Sequence, residues 1–144
     1  MAQSKRLSQT ACYLEIAKTV ARVSQDPSTR VGAVIVARDG SVSLGYNRLP
    51  KRVKNARQHW NHPNKYKLVI TAEMDAIQNA AGTDLTGATL YLSEAACTLG
   101  AKSVVDSGIG HVVHPIARLS TDKQGDHNYA CKLLSEAKIK VTKK

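Results

Sequence analysis

Between Val31 and Ala37 the chain reads Val-Gly-Ala-Val-Ile-Val-Ala, seven residues with no polar side chain. A β-branched run of that length is a strand, and one apolar in both directions belongs in a sheet covered on its two faces. Asp39-Gly40 is a hairpin turn signal, and Ser41 to Tyr46 alternates as the returning strand. The covering helices are legible on either side. Ala11, Leu14, Ala17 and Ala21 recur at helical spacing between about Ser8 and Ser24, with Lys18 and Arg22 on another face. Thr71 to Ala81 offers a hydroxyl cap and helix formers up to Gly82. Ala88 to Ser93 reads as a strand, Cys97 to Ser107 as a helix closed by Gly108, and Gly110 to His114 as a strand. Gly125 to Lys138 reads as a last helix and Ile139 to Thr142 as a last strand. The order αββαβαβαβ predicts an α/β fold, a sheet sandwiched by helices with parallel crossovers.

A chain of 144 residues supports one domain, expected over 1–144. Its 42% hydrophobic content argues against disorder. No apolar run approaches the roughly 18 to 20 residues that span a bilayer, and Met1 to Thr10 is too polar for a signal-peptide core. Three cysteines, Cys12, Cys97 and Cys131, give no paired spacing for a secreted disulfide framework. The expectation is a soluble, cytoplasmic protein without membrane partners. The formal net charge of +10 points to polyanions, nucleotides or nucleic acid first. With no Phe, one Trp and five Tyr, phosphate attraction is better supported than extended base stacking. Between Asn47 and Lys67 lie Pro50, Pro63, Trp60, Tyr66 and seven Lys and Arg, which read as a long functional loop.

Four segments now carry a resemblance: Asp26-Pro-Ser-Thr-Arg-Val-Gly-Ala-Val-Ile-Val36, Gly45-Tyr-Asn-Arg-Leu-Pro50, Lys65-Tyr-Lys-Leu-Val-Ile-Thr-Ala-Glu73, and Thr89-Leu-Tyr-Leu92 leading into Cys97. In this order and spacing the chain resembles the cytidine and deoxycytidylate deaminase superfamily, in its deoxycytidylate branch, over about Tyr13 to Val141. The resemblance implies a three-layer α/β/α sandwich around a mixed five-stranded sheet. It also implies a zinc ion held by a His-Ala-Glu at one helix start and a Pro-Cys-x-x-Cys at the next. In that family zinc activates water, and the glutamate, not itself a ligand, shuttles protons during attack on C4 of cytosine.

The sequence departs from that pattern at the metal. Thr71 stands where the family histidine belongs, and Glu73 keeps the proton-shuttle position. Cys97 matches the first thiolate, while Gly100 replaces the second. One thiolate and a hydroxyl fall short of the three or four strong ligands zinc uses, so no bound metal is expected. His59 and His62 are alternative ligands, because some family members carry a further zinc in the long loop. Each retained residue has a plain structural reading as well: Glu73 as a first-turn acid, Cys97 as a buried thiol, Thr71 as an N-cap. For substrate, the resemblance implies Asn47 at the sugar and Arg30 near the phosphate, beside Thr71. Their structural counterparts are a turn asparagine and a solvated arginine. Arg48 stands where the family has glycine, so regulation by deoxycytidine triphosphate is not carried over. His111 and His114, three apart, face opposite sides of their strand.

Three readings follow. The first is a deoxycytidylate-deaminase-like protein that binds a pyrimidine deoxynucleotide without zinc-dependent hydrolysis, as a homo-oligomer or beside an active homologue. The second is a working deaminase with a rebuilt zinc site. The third is a basic nucleic-acid-binding or partner subunit on the same scaffold.

Overall fold

Ser8 opens the first helix: its hydroxyl accepts from the Ala11 amide at 3.1 Å, and α1 runs Gln9–Ala21. The computed structural model describes residues 3–116 and 118–144. The first two residues of the polar Met1 to Thr10 stretch therefore lie outside the described residues. The apolar run forms β1 (Gly32–Val36), and the turn at Asp39-Gly40 returns it as β2 (Val42–Tyr46) in antiparallel register, Val34 opposite Leu44. After two short helices, α2 (Arg57–Trp60) and α3 (Asn64–Leu68), come α4 (Ala72–Asn79), β3 (Thr89–Leu92) and α5 (Thr98–Ser107). The chain closes with β4 (His111–His114), α6 (Thr121–Glu136) and β5 (Lys140–Lys143).

The strands form one five-stranded sheet in the order β2-β1-β3-β4-β5. β1 is antiparallel to both neighbours, while β3, β4 and β5 are parallel, so the sheet is mixed as expected. Register places Ala33, Ile35, Leu90, Leu92 and Val112 on one face, packed against Ala72 and Ala76 of α4, Ala101 and Val104 of α5, and Ala130 and Leu134 of α6. The opposite face sets Val34, Tyr91 and Val113 against Ala17, Tyr13 and Leu14 of α1. Two faces buried by helices are what an uninterrupted apolar β1 requires. Close approach is bought by glycine: a Cβ at Gly32 would overlap the Ala17 carbonyl, and one at Gly45 the Ala76 amide. The outer edge of β2 is guarded by α4, since Asn79 Nδ2 donates to the Leu44 carbonyl at 2.7 Å and the Tyr46 amide donates to Asp75 at 3.1 Å.

Two expectations are corrected. The segment expected as a long loop holds α2 and α3, too short for a readable period and fixed instead by tertiary contacts. Trp60 is buried, and its indole N–H donates to Asn55 Oδ1 at 2.6 Å. The final helix starts at Thr121 rather than Gly125, because the turn before the glycine is closed by Gln124 N–H donating to the Ser120 carbonyl at 2.8 Å. As register required, His111 and His114 point to opposite faces: His111 meets Thr142 of β5 at 2.8 Å, and His114 lies edge-on to His127 of α6. No helix among the described residues is long and apolar enough to cross a membrane.

Candidate functional site

The first turns of α4 and α5 meet. Thr71 caps α4, its hydroxyl accepting from the Met74 amide at 3.2 Å, and this sets Glu73 one residue inside the helix with only 4% of its surface exposed. Cys97 occupies the position just before α5, half-buried, and Gly100 is the third residue of that helix. The Glu73 carboxyl lies against Gly100 so closely that a Cβ there would overlap both carboxyl oxygens. Burial pushes the Glu73 carboxyl above its ordinary value, with its own amide and the Thr71 hydroxyl drawing it part of the way back. Burial, and then the neighbouring Glu73 charge, push the Cys97 thiol up to about 12. At neutral pH the pocket thus holds a thiol rather than a thiolate.

This donor set does not fit a catalytic zinc. The volume a second thiolate would need is filled by the Glu73 carboxyl, and the Thr71 hydroxyl is engaged as a cap, which leaves Cys97 as a single thiol donor. Among the described residues no three His, Cys, Asp or Glu side chains gather in a metal-holding arrangement. His59 is half-buried on α2, and His62 is exposed, its ring 4.8 Å from that of Tyr66. Neither is joined by a third donor from such a group.

A cavity of about 350 Å³ is lined by Ser28, Thr29, Arg30, Glu94, Arg118 and Lys123, among others. Glu94 lies on the loop that runs into Cys97, so the segment entering α5 supplies part of the cavity wall. Three cations and the Ser28 and Thr29 hydroxyls face a single carboxylate, a composition suited to a phosphate or another compact anion. Arg30, singled out from sequence, is exposed at its rim. Arg118 comes from the β4 to α6 connection and Lys123 from the first turn of α6, a sequence-distant pair that no motif announces.

Asp26 gives the cavity wall its shape. It is 1% exposed; Oδ1 accepts from the Ser28 amide at 2.9 Å, the Ser28 hydroxyl at 3.0 Å and the Thr29 amide at 3.2 Å. Oδ2 accepts from Asn47 and pairs with Lys65. Burial raises the Asp26 carboxyl, but Lys65 and the two amides outweigh it and hold it below its ordinary value. Asn47 spends both amide hydrogens on Asp26 and the Thr29 carbonyl, and its oxygen accepts from Val31 at 2.8 Å. The structure therefore places Asn47 beneath the 26–30 loop as a support for it. Sequence reasoning missed this hub; the signal that could have found it is the Asp26-Pro-Ser-Thr stretch, because an aspartate commonly accepts from the amides two and three residues on. On the other side, α6 clamps the start of α5: His127 Nδ1 lies 2.8 Å from the Ala96 carbonyl, and Asp126 accepts from the Thr98 amide at 3.0 Å.

Comparison with known proteins agrees with this architecture. The family model described as the cytidine and deoxycytidylate deaminase zinc-binding region matches residues 7–115. A probable deoxycytidylate deaminase of Caenorhabditis elegans is 37% identical over 105 residues, which are 69% of this chain and 53% of that protein. Human deoxycytidylate deaminase is 32% identical over 108 residues, 70% of this chain and 61% of that one. The chain thus spans between half and two thirds of the length of these relatives. Among solved structures, the dCMP deaminase of cyanophage S-TIM5 in apo form superposes with a TM-score of 0.74 at 22% identity, covering 97% of this chain and 100% of that one. The same enzyme in complex with dCMP and dUMP gives 0.75 at 20% identity, covering 96% and 100%.

Proposed function

The chain belongs to the cytidine and deoxycytidylate deaminase family, and on that premise we propose that it binds a pyrimidine deoxynucleoside monophosphate without hydrolysing it through zinc. The observation that carries this reading is the cavity of Arg30, Arg118 and Lys123, walled in part by Glu94 of the loop that enters α5; the resemblance adds that Thr71 and Gly100 stand at positions the family gives to zinc ligands. The cations would take the phosphate, the Thr29 hydroxyl would donate to it, and the base would lie toward Thr71, Glu73 and Cys97. Relatives that bind dCMP and dUMP in the same fold support the choice of ligand class. Burial raises the Glu73 carboxyl, which favours its protonated form, and that form can donate one hydrogen bond and accept another along a pyrimidine amide edge.

Titration calorimetry with dCMP, dUMP and deoxycytidine tests this. Both monophosphates should bind, deoxycytidine should bind on the order of tenfold or more weakly, and Arg30→Ala should erase most of that difference. Equal affinity with and without the phosphate, or no binding by either monophosphate up to millimolar concentration, would sink it. Ammonia release from dCMP together with about one zinc per chain would establish the rebuilt-metal reading instead.

A further inference from the structure

Residues 48–67 carry seven Lys and Arg and no Asp or Glu. Two of the seven are committed to buried carboxylates of the core: Arg48 Nε lies 2.8 Å from Asp75, and Lys65 pairs with Asp26. These two pairs tie the ends of the segment to α4 and to the loop after α1. Its middle is tied by buried Trp60, whose indole N–H donates to Asn55. The remaining five cations, Lys51, Arg52, Lys54, Arg57 and Lys67, are exposed and take part in none of the ion pairs of the described residues. On the same segment Tyr66 is 58% exposed, its ring supported by that of His62 at 4.8 Å.

We propose that the ordered 48–67 segment is a binding surface for single-stranded nucleic acid, with Lys51, Arg52, Lys54, Arg57 and Lys67 on phosphates and Tyr66 stacked on one base. Like charges crowded on an anchored segment repel one another, and a phosphate backbone relieves that repulsion while releasing its own counterions. An exposed aromatic on the same segment as several exposed cations is the combination that tracks a single strand, because an unpaired base offers the ring a free face that a duplex keeps stacked. None of these residues lines the cavity of Arg30, Arg118 and Lys123, so this surface is independent of the nucleotide pocket.

The test is fluorescence anisotropy of the full chain with labelled oligodeoxythymidylate of about 20 nucleotides, titrated across about 50 to 200 mM salt. Affinity should fall steeply with salt. Replacing Lys51, Arg52, Lys54 and Arg57 together with glutamine should reduce the slope of log affinity against log salt by about 3, near 0.7 per lost phosphate contact. Tyr66→Ala should weaken binding on the order of tenfold with the slope unchanged. Lys140, Lys143 and Lys144 changed together to glutamine should have little effect. No binding by the natural chain at low salt would overturn the proposal. So would an unchanged slope in the quadruple variant, an equal loss in the tail variant, or tighter binding of a duplex of the same length. Calorimetry with dCMP on the quadruple variant separates the two sites: retained nucleotide binding with lost oligonucleotide binding is the expected pattern.

Discussion

Glycine at position 100 and the pose of Glu73 are two halves of one exchange: the side chain missing from the first leaves the space that the second fills. Building the family's zinc ligands into this chain is therefore more than a matter of donor types. With Thr71→His and Gly100→Cys, the new thiol meets the Glu73 carboxyl, and the histidine gives up the N-cap bond to Met74, which is worth about 1 kcal/mol. The double variant should take up zinc on the order of tenfold more weakly than the same pair combined with Glu73→Ala, as read by competition with a chromophoric chelator. Equal uptake by both would show that Glu73 turns aside freely. The Thr71 hydroxyl, the Cys97 thiol and the Asn47 amide each have a complete local explanation, as a cap, a buried thiol and a loop support.

At the scale of elements, the 49–69 connection is held by its contacts with the rest of the molecule rather than by its own helices. α2 and α3 span one turn or slightly more, too short to persist alone in water. Lys65 reaches Asp26, whose carboxylate side chain is fully buried. Removing one partner of a buried pair leaves the other charge uncompensated, so Lys65→Ala should lower stability by about 3 kcal/mol. Amide exchange should quicken both in the connection and at Ser28 and Thr29, since all depend on the same carboxylate. Unchanged exchange at Ser28 and Thr29 would show that Lys65 does not support the cavity wall. The guarded edge of β2 follows the same economy, with α4 side chains answering the strand groups that have no neighbouring strand.

For the whole molecule, stability against pH sums groups shifted in opposite directions. Asp26 is held below its ordinary value near 3.8, so its contribution is present above that pH and lost as the pH falls through its folded value. His114, pushed down by burial from 6.5, with Nε2 buried and without a hydrogen-bond partner among the described residues, weakens the fold as the pH drops below 6.5, where the unfolded chain binds the proton more readily. Glu73 runs the other way. Its folded value lies above 4.5, so its contribution is complete below that pH and is lost as the pH rises through the folded value. Glu73→Gln removes only this last dependence. Its melting temperature should exceed that of the natural chain at pH 8 and converge with it near pH 4, by thermal denaturation across that range. A constant difference, or none, would mean the carboxyl has a partner that answers its charge.

The element order, the hairpin, the buried central strand and the mixed sheet were legible in the sequence, because apolar period and turn chemistry are local properties written residue by residue. The four motifs likewise identified the family. Hidden were the contacts that pair distant residues: Lys65 on Asp26, Arg48 on Asp75, Arg118 and Lys123 facing Arg30, and the Glu73 carboxyl in the space beside Gly100. Sequence alone assigned the types of charge on this chain. Which charges are spent in the core and which are displayed was decided by tertiary structure, because ion pairing depends on separation in space and on burial, and neither is a function of separation along the chain.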